Sequence, residues 1–254
     1  MTRPLLEMNA ASLYAGSKKL CEKLSFSMMA GDLICLLGRN GSGKTTLLKI
    51  LAGLRALQQG EVLLKGEKLT QLSHRDKARR IALLLTSRMA DESLRGLEYV
   101  SIGRWPHTPW HGKLSALDWN KVKASMHKTE TDSLEKQPLH QLSDGEKQKL
   151  GIARILAQET EILLLDEPLS HLDAPSQIQI LELMHQCTSQ DGYAILFSCH
   201  DLNLAFRSCD KCLVMLAEGK WFFGSPAEVV ADKDCRIQLG LDSTIWLQDW
   251  KGRK

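Results

Sequence analysis

The sequence predicts an α/β fold in which a mostly parallel sheet carries helices on both faces and accepts one helical insertion. Three observations predict it: short, wholly apolar runs that stop at glycine or acidic residues, amphipathic stretches between those runs, and a long central segment without strand-like patterning. Strand, crossover helix and strand in that order imply parallel pairing, and ligands then gather at the carboxyl ends of the strands.

The first buried strand is predicted at Asp32-Leu33-Ile34-Cys35-Leu36-Leu37, which runs into a glycine loop. The loop opens a helix in which Leu47, Leu48, Leu51 and Leu54 recur at helical spacing. Residues from about 88 to 155 are rich in helix formers and turn residues and are read as the helical insertion. Ile162–Leu165 and Ala194–Ser198 repeat the apolar strand pattern. A helix over about 176–189 lies between them and is predicted to bury Ile178, Leu181 and Met184. No repeat, low-complexity tract or linker interrupts residues 1–254, so a single domain with an insertion is expected.

Composition narrows the function classes. A chain of 254 residues, 43% hydrophobic and 25% charged, has enough apolar side chains for a self-sufficient core. Its formal charge of +3, without any tract of five or six like charges, argues against a nucleic-acid partner. The apolar runs fall far below the roughly 18 residues of a spanning helix. Arg3 and Pro4 stand where a secretory signal would be apolar, so a cytoplasmic address is expected. Seven cysteines, an odd number, suit a reducing compartment. Cys209 and Cys212 form a lone CxxC near Cys199 and His200; without a second pair at zinc spacing, buried thiols are expected.

Gly38-Arg39-Asn40-Gly41-Ser42-Gly43-Lys44-Thr45 fits the phosphate-loop pattern and sits between a strand and a helix, as that pattern requires. Glycines let the backbone curl so that N–H groups face phosphate oxygens, and the helix start adds a favourable field. Lys44 is the expected partner of the terminal phosphates, Thr45 of a Mg²⁺ ion, and Thr46 continues the loop. The strand Ile162–Leu165 ends in Asp166-Glu167, where Asp166 suits the Mg²⁺ shell and Glu167 suits a general base acting on water. Taken alone, two acids at a strand end are more often a solvated terminus; the upstream loop reverses that weighting.

Leu142-Ser143-Asp144-Gly145-Glu146, just ahead of the carboxylate strand, resembles the LSGGQ signature of ABC ATPases; Ser143 and Glu146 also have capping-box spacing. The resemblance implies the ABC ATPase fold of P-loop NTPases, with an N-terminal antiparallel β region added to the parallel core. It implies ATP and Mg²⁺ as cofactors, and a homodimer in which Ser143 and Gly145 of one chain close over ATP held by the other. Ser170-His171-Leu172-Asp173 looks like the D-loop, with Asp173 as its acid, His200 like the switch histidine, and Tyr14 like the aromatic that stacks on adenine. With Gly38, Asn40, Gly41, Ser42, Gly43 and Lys44, these complete the expected nucleotide site. Two departures stand out. Asp144 replaces the first signature glycine, and Thr86 occupies the place of a glutamine that contacts the metal, so Thr86 is expected to reach Mg²⁺ through water or from a shifted loop.

Ile102-Gly103-Arg104-Trp105-Pro106-His107, His200-Asp201-Leu202-Asn203 and Gly224-Ser225-Pro226-Ala227-Glu228-Val229 resemble segments of the iron-siderophore, haem and cobalamin importer subfamily. That likeness implies integral membrane permease subunits as partners, a substrate-binding protein acting indirectly, and a peripheral position on the cytoplasmic face of the inner membrane. Trp105 and Trp110 read either as a rigid aromatic turn or as a permease-docking surface. The competing readings are a non-transport ABC ATPase and an unrelated phosphate-loop kinase.

Overall fold

The computed structural model describes residues 3–86, 93–110, 112–170 and 172–241. Its first sheet is antiparallel, with β1 (Leu6–Ala15) between β2 (Lys18–Met28) and β4 (Gln59–Leu64), and the short β5 (Glu67–Lys68) at its edge. This is the N-terminal antiparallel region that the family resemblance implies. Leu6, Met8, Phe26 and Met28 point inward from alternating positions, the pattern of a sheet with one face in the core.

The second sheet has the order β10-β9-β3-β8-β7-β6. β6 (Ile81–Leu84), β7 (Ile162–Leu165), β8 (Ala194–Ser198), β3 (Leu33–Gly38) and β9 (Lys211–Met215) run parallel; β10 (Trp221–Gly224) returns antiparallel at the edge. Every residue of β7 and β8 is buried, because both faces of this sheet are covered. On one face Ile34, Leu36, Leu164 and Leu196 meet the antiparallel sheet and the helix α1 (Lys44–Leu51). On the other, Cys35, Leu37, Leu163, Leu165 and Phe197 belong to a cluster with Ile152, Ile155, Ile180, Met184 and Phe206 from the covering helices.

Between β6 and β7 the described chain is helical: α3 (Gly96–Ser101), a 3₁₀ segment at Ile102–His107, α4 (Ala116–Lys128) and α5 (Asp144–Ala157), with the short α2 (His74–Ala78) ahead of β6. Tyr99, Val100, Val122, Met126, Leu139 and Leu150 give this region a small core of its own. After β7 come α6 (Ala174–Asp191), α7 (Leu202–Ser208), α8 (Pro226–Ala231) and α9 (Lys233–Leu239). The Asp173 carboxylate caps α6 by accepting from the Ser176 N–H, and Gly192 ends that helix at φ +74°.

Two expectations need correction. Leu54 is 64% exposed, because α1 ends at Leu51 and the chain has turned before the next helical repeat. On α6 Leu181 and Met184 are buried as expected, together with Ile180, Leu183 and Cys187, whereas Ile178, which lies ahead of the first buried residue of the helix, is 51% exposed. All seven cysteines are free thiols. Cys209 and Cys212 bring their sulfurs to 3.4 Å as a thiol–thiol contact.

Candidate functional site

The parallel sheet delivers four segments to one end: the loop after β3, the residues after β6, the acids after β7 and the histidine after β8. The loop from Gly38 to Lys44 can follow its path only because of its glycines. Gly38 adopts φ +149°, and a Cβ there would stand 2.8 Å from the Met215 carbonyl oxygen. At Gly43, φ is +106° and a Cβ would press to 2.8 Å from Leu20. No side chain caps the start of α1 at Gly43, so its positive end is left facing the cleft.

Lys44 is only 6% exposed, and its Nζ donates to the carbonyl oxygens of Gly38 at 2.8 Å and Arg39 at 3.5 Å. Burial holds its ammonium below the usual lysine range, against the opposing pull of the Glu167 and Asp166 carboxylates. The buried Ser42 hydroxyl oxygen has no hydrogen-bond partner among the described residues. A desolvated cation and an orphaned hydroxyl beside an uncapped helix start together fit a phosphate group.

The acids are held by hydroxyls. Thr45 Oγ1 donates to Asp166 Oδ2 at 2.7 Å, and Ser198 Oγ donates to Asp166 Oδ1 at 3.0 Å. The Thr86 hydroxyl donates to the Asp166 carbonyl oxygen at 2.5 Å, bracing the turn from behind. Glu167 adopts φ +50°, a left-handed conformation that costs a non-glycine residue about 1–2 kcal/mol. Its N–H donates to Ser198 Oγ at 2.7 Å, and its carboxylate Oε1 lies 2.5 Å from His200 Nε2. Thr45 and Asp166 offer a hydroxyl and a carboxylate oxygen side by side, the hard donor set that suits Mg²⁺.

A cleft of about 710 Å³ runs along these groups, lined by Asn40, Gly41, Gly43, Lys44, Thr45, Thr46, Glu167 and His200 among others. Ala15 is also in its wall, and Tyr14 precedes it half-buried in β1, its carbonyl accepting from Arg55 at 2.9 Å. Ser143, Gly145 and Asp173 are not part of that wall. Ser143 caps α5: its hydroxyl accepts from the Glu146 N–H at 3.3 Å while its own N–H donates to Glu146 Oε2 at 2.9 Å. The Ser143 N–H, with the Ser143 hydroxyl that also donates to Glu146 Oε2 at 2.8 Å, holds the Glu146 carboxyl below its usual range. Gly145 faces Leu172 and Ser176 on the α6 side. His171 lies outside the described residues.

These observations converge on a nucleotide cassette, and comparison with known proteins decides the family: residues 21–170 match the model described as ABC transporter. The chain belongs to this family. As an ABC transporter ATPase it binds and hydrolyses nucleotide. It is 35% identical over 229 residues to the achromobactin transport ATP-binding protein of Dickeya dadantii, covering 90% of this chain and 85% of the relative. It is also 36% identical over 233 residues to the ferric enterobactin transport ATP-binding protein of Escherichia coli, with 91% and 86% covered. The solved dimeric structure of a bacterial ABC transporter cassette shares the fold with a TM-score of 0.75 at 21% identity, covering 87% of this chain and 98% of that one.

The three subfamily-like segments of this ABC ATPase have clear local jobs. Arg104 is buried, donating to Asp118 Oδ1 at 3.0 Å, the Ala157 carbonyl at 2.7 Å and Glu159 Oε2 at 2.8 Å. Pro106 accepts from Arg75 and Arg79, and His107 Nε2 meets the Gln158 carbonyl, so the turn is tied to both α2 and the end of α5. Asp201 caps α7, and Ser225 with Glu228 forms a capping box on α8. Sequence reasoning missed Ser198. Its only signal was a polar residue closing an otherwise apolar strand.

Proposed function

We propose that this chain is the ATPase subunit of an importer for ferric siderophores, or for related chelates such as haem or cobalamin. It works as a homodimer beneath integral membrane permease subunits, to which a separate binding protein delivers cargo. The observation that carries this is the convergence of Lys44, Thr45, Glu167 and His200 on one cleft, with Asp166 hydrogen-bonded to Thr45, in a chain whose relatives are named for siderophore transport.

In this reading the loop N–H groups and Lys44 bind the β and γ phosphates, and Tyr14 stacks on adenine. Thr45 and Asp166 would hold Mg²⁺, which would neutralise phosphate charge there, with Thr86 supporting Asp166 through its backbone. Glu167 takes a proton from the attacking water as its oxygen bonds to the γ phosphorus and the bridging oxygen leaves with ADP. His200 orients that carboxylate. Ser143 and Gly145, which do not line the cleft of their own chain, meet the γ phosphate of the partner's, and Asp173 links the two sites.

The helical subdomain, residues about 88–155, transmits closure to the permease. Trp105 is 67% exposed and Trp110 is 96% exposed on a turn pinned by Arg75, Arg79 and His107, a rigid aromatic surface suited to a permease helix. The proposed position is peripheral, on the cytoplasmic face of the inner membrane; no described helix is long and apolar enough to cross a membrane.

The test is co-expression with candidate many-span permease subunits from the same genome. The chain and its permease are expected to co-purify, and in liposomes ATP hydrolysis is expected to rise when a binding protein loaded with ferric siderophore is added. A chain that neither associates with the permease nor responds to the loaded binding protein contradicts the proposal.

A further inference from the structure

We propose that Ser198 is a positioning residue for catalysis, a single buried hydroxyl that sets the aim of both site carboxylates, Asp166 and Glu167. The proposal deepens the reading of the cleft given above and rests on it.

Ser198 ends β8 and is 0% exposed. Its one proton goes to Asp166 Oδ1 at 3.0 Å, and a lone pair takes the N–H of Glu167 at 2.7 Å. A hydroxyl has one donor and two acceptor sites, so both bonds are made at once by one rotamer. With Thr45 on Oδ2, Ser198 on Oδ1, the Leu84 carbonyl on its N–H and Thr86 on its carbonyl, Asp166 has a partner on every polar atom.

Glu167 needs more support, because its φ of +50° is strained. The N–H bond to Ser198 and the Ser170 hydroxyl on its carbonyl at 2.9 Å fix that peptide from two sides. Two residues beyond Ser198, His200 reaches the Glu167 carboxylate. One strand end therefore governs both the backbone and the side chain of the proposed base. Without the hydroxyl, a buried carboxylate oxygen and a part-buried N–H each lose their partner, and the turn is free to relax. A residue that merely closed the strand would affect stability alone.

The experiment compares the full chain with Ser198→Ala and Ser198→Thr at concentrations that support dimers. Three quantities are read: thermal melting, kcat against KM for ATP, and Mn²⁺ binding to the ATP-loaded protein by electron paramagnetic resonance. Outer partners of metal ligands typically change affinity or activity by about 10–100-fold. Ser198→Ala is expected to lower kcat and weaken Mn²⁺ binding by about that factor, to leave metal-free ATP binding near that of the unmodified chain, and to stay folded. Ser198→Thr, which keeps the hydroxyl, is expected to restore most of both. Unchanged kcat and Mn²⁺ binding in the Ala variant overturn the proposal, as does a loss that merely follows the unfolded fraction. If the unmodified chain has no metal-dependent hydrolysis, the reading of the cleft itself fails; if it hydrolyses normally and Ser198→Ala equals it, only the role of Ser198 fails.

Discussion

Replacing Glu167 by glutamine is expected to lower kcat for ATP hydrolysis by about 10²–10⁴-fold while ATP binding persists, because the amide cannot take the proton of the attacking water. The geometry supports so large an effect. Oε1 is held 2.5 Å from His200, and the backbone beneath it is fixed in a left-handed conformation. Glutamine is nearly isosteric and keeps the N–H bond to Ser198, so the loss falls on chemistry and not on the fold. With hydrolysis blocked, ATP should hold the two chains together, and size-exclusion chromatography should show a dimer that persists with ATP and disperses with ADP. A variant that retains more than about a tenth of the unmodified rate would remove Glu167 from the role of base.

Lys44→Met is expected to weaken ATP binding by about 10–100-fold, corresponding to the roughly 1.5–3 kcal/mol of a hydrogen bond to a charged group. A fluorescent ATP analogue would measure it. Stability should move the other way. Burial depresses the Lys44 pKa in the folded chain, so folding releases a proton between the folded and unfolded pKa values, and stability rises with pH through that window. At neutral pH the charged form is therefore held at a cost relative to the neutral amine. The methionine variant should melt no lower than the unmodified protein without nucleotide, and should lose the upward shift that ATP produces. Undiminished ATP affinity in this variant would contradict the phosphate site.

Much of this was legible in the sequence for a physical reason. A strand buried on both faces must be apolar throughout, so Ile162–Leu165 and Ala194–Ser198 announced themselves, and their ends pointed to Asp166, Glu167 and His200. The loop at Gly38–Lys44 was equally readable, since its φ angles leave little choice but glycine. Helix faces were less readable. Ile178 and Leu54 satisfied the periodicity but lie outside the buried stretch of their helices, Ile178 ahead of the first buried residue of α6 at Ile180 and Leu54 beyond the stop of α1 at Leu51. Ser198 escaped because its partners lie 31 and 32 residues away, brought near only by parallel pairing of β7 with β8. The GRWPH segment was legible as a motif but not as a brace, since Arg75, Gln158 and Glu159 reach it from separate elements.

The central claim is that each hydrolytic centre is shared between two chains, and mixing two inactive variants tests it most directly. Glu167→Gln lacks the base but keeps Ser143; Ser143→Arg blocks the signature but keeps Glu167. Each alone should be nearly inactive. Mixed in equal amounts, half of the dimers pair the two kinds and regain one sound centre, so activity should recover to about a quarter of the unmodified level if the centres act independently. A mixture no more active than its separate components would contradict a shared centre, as would a Ser143→Arg chain with full activity by itself.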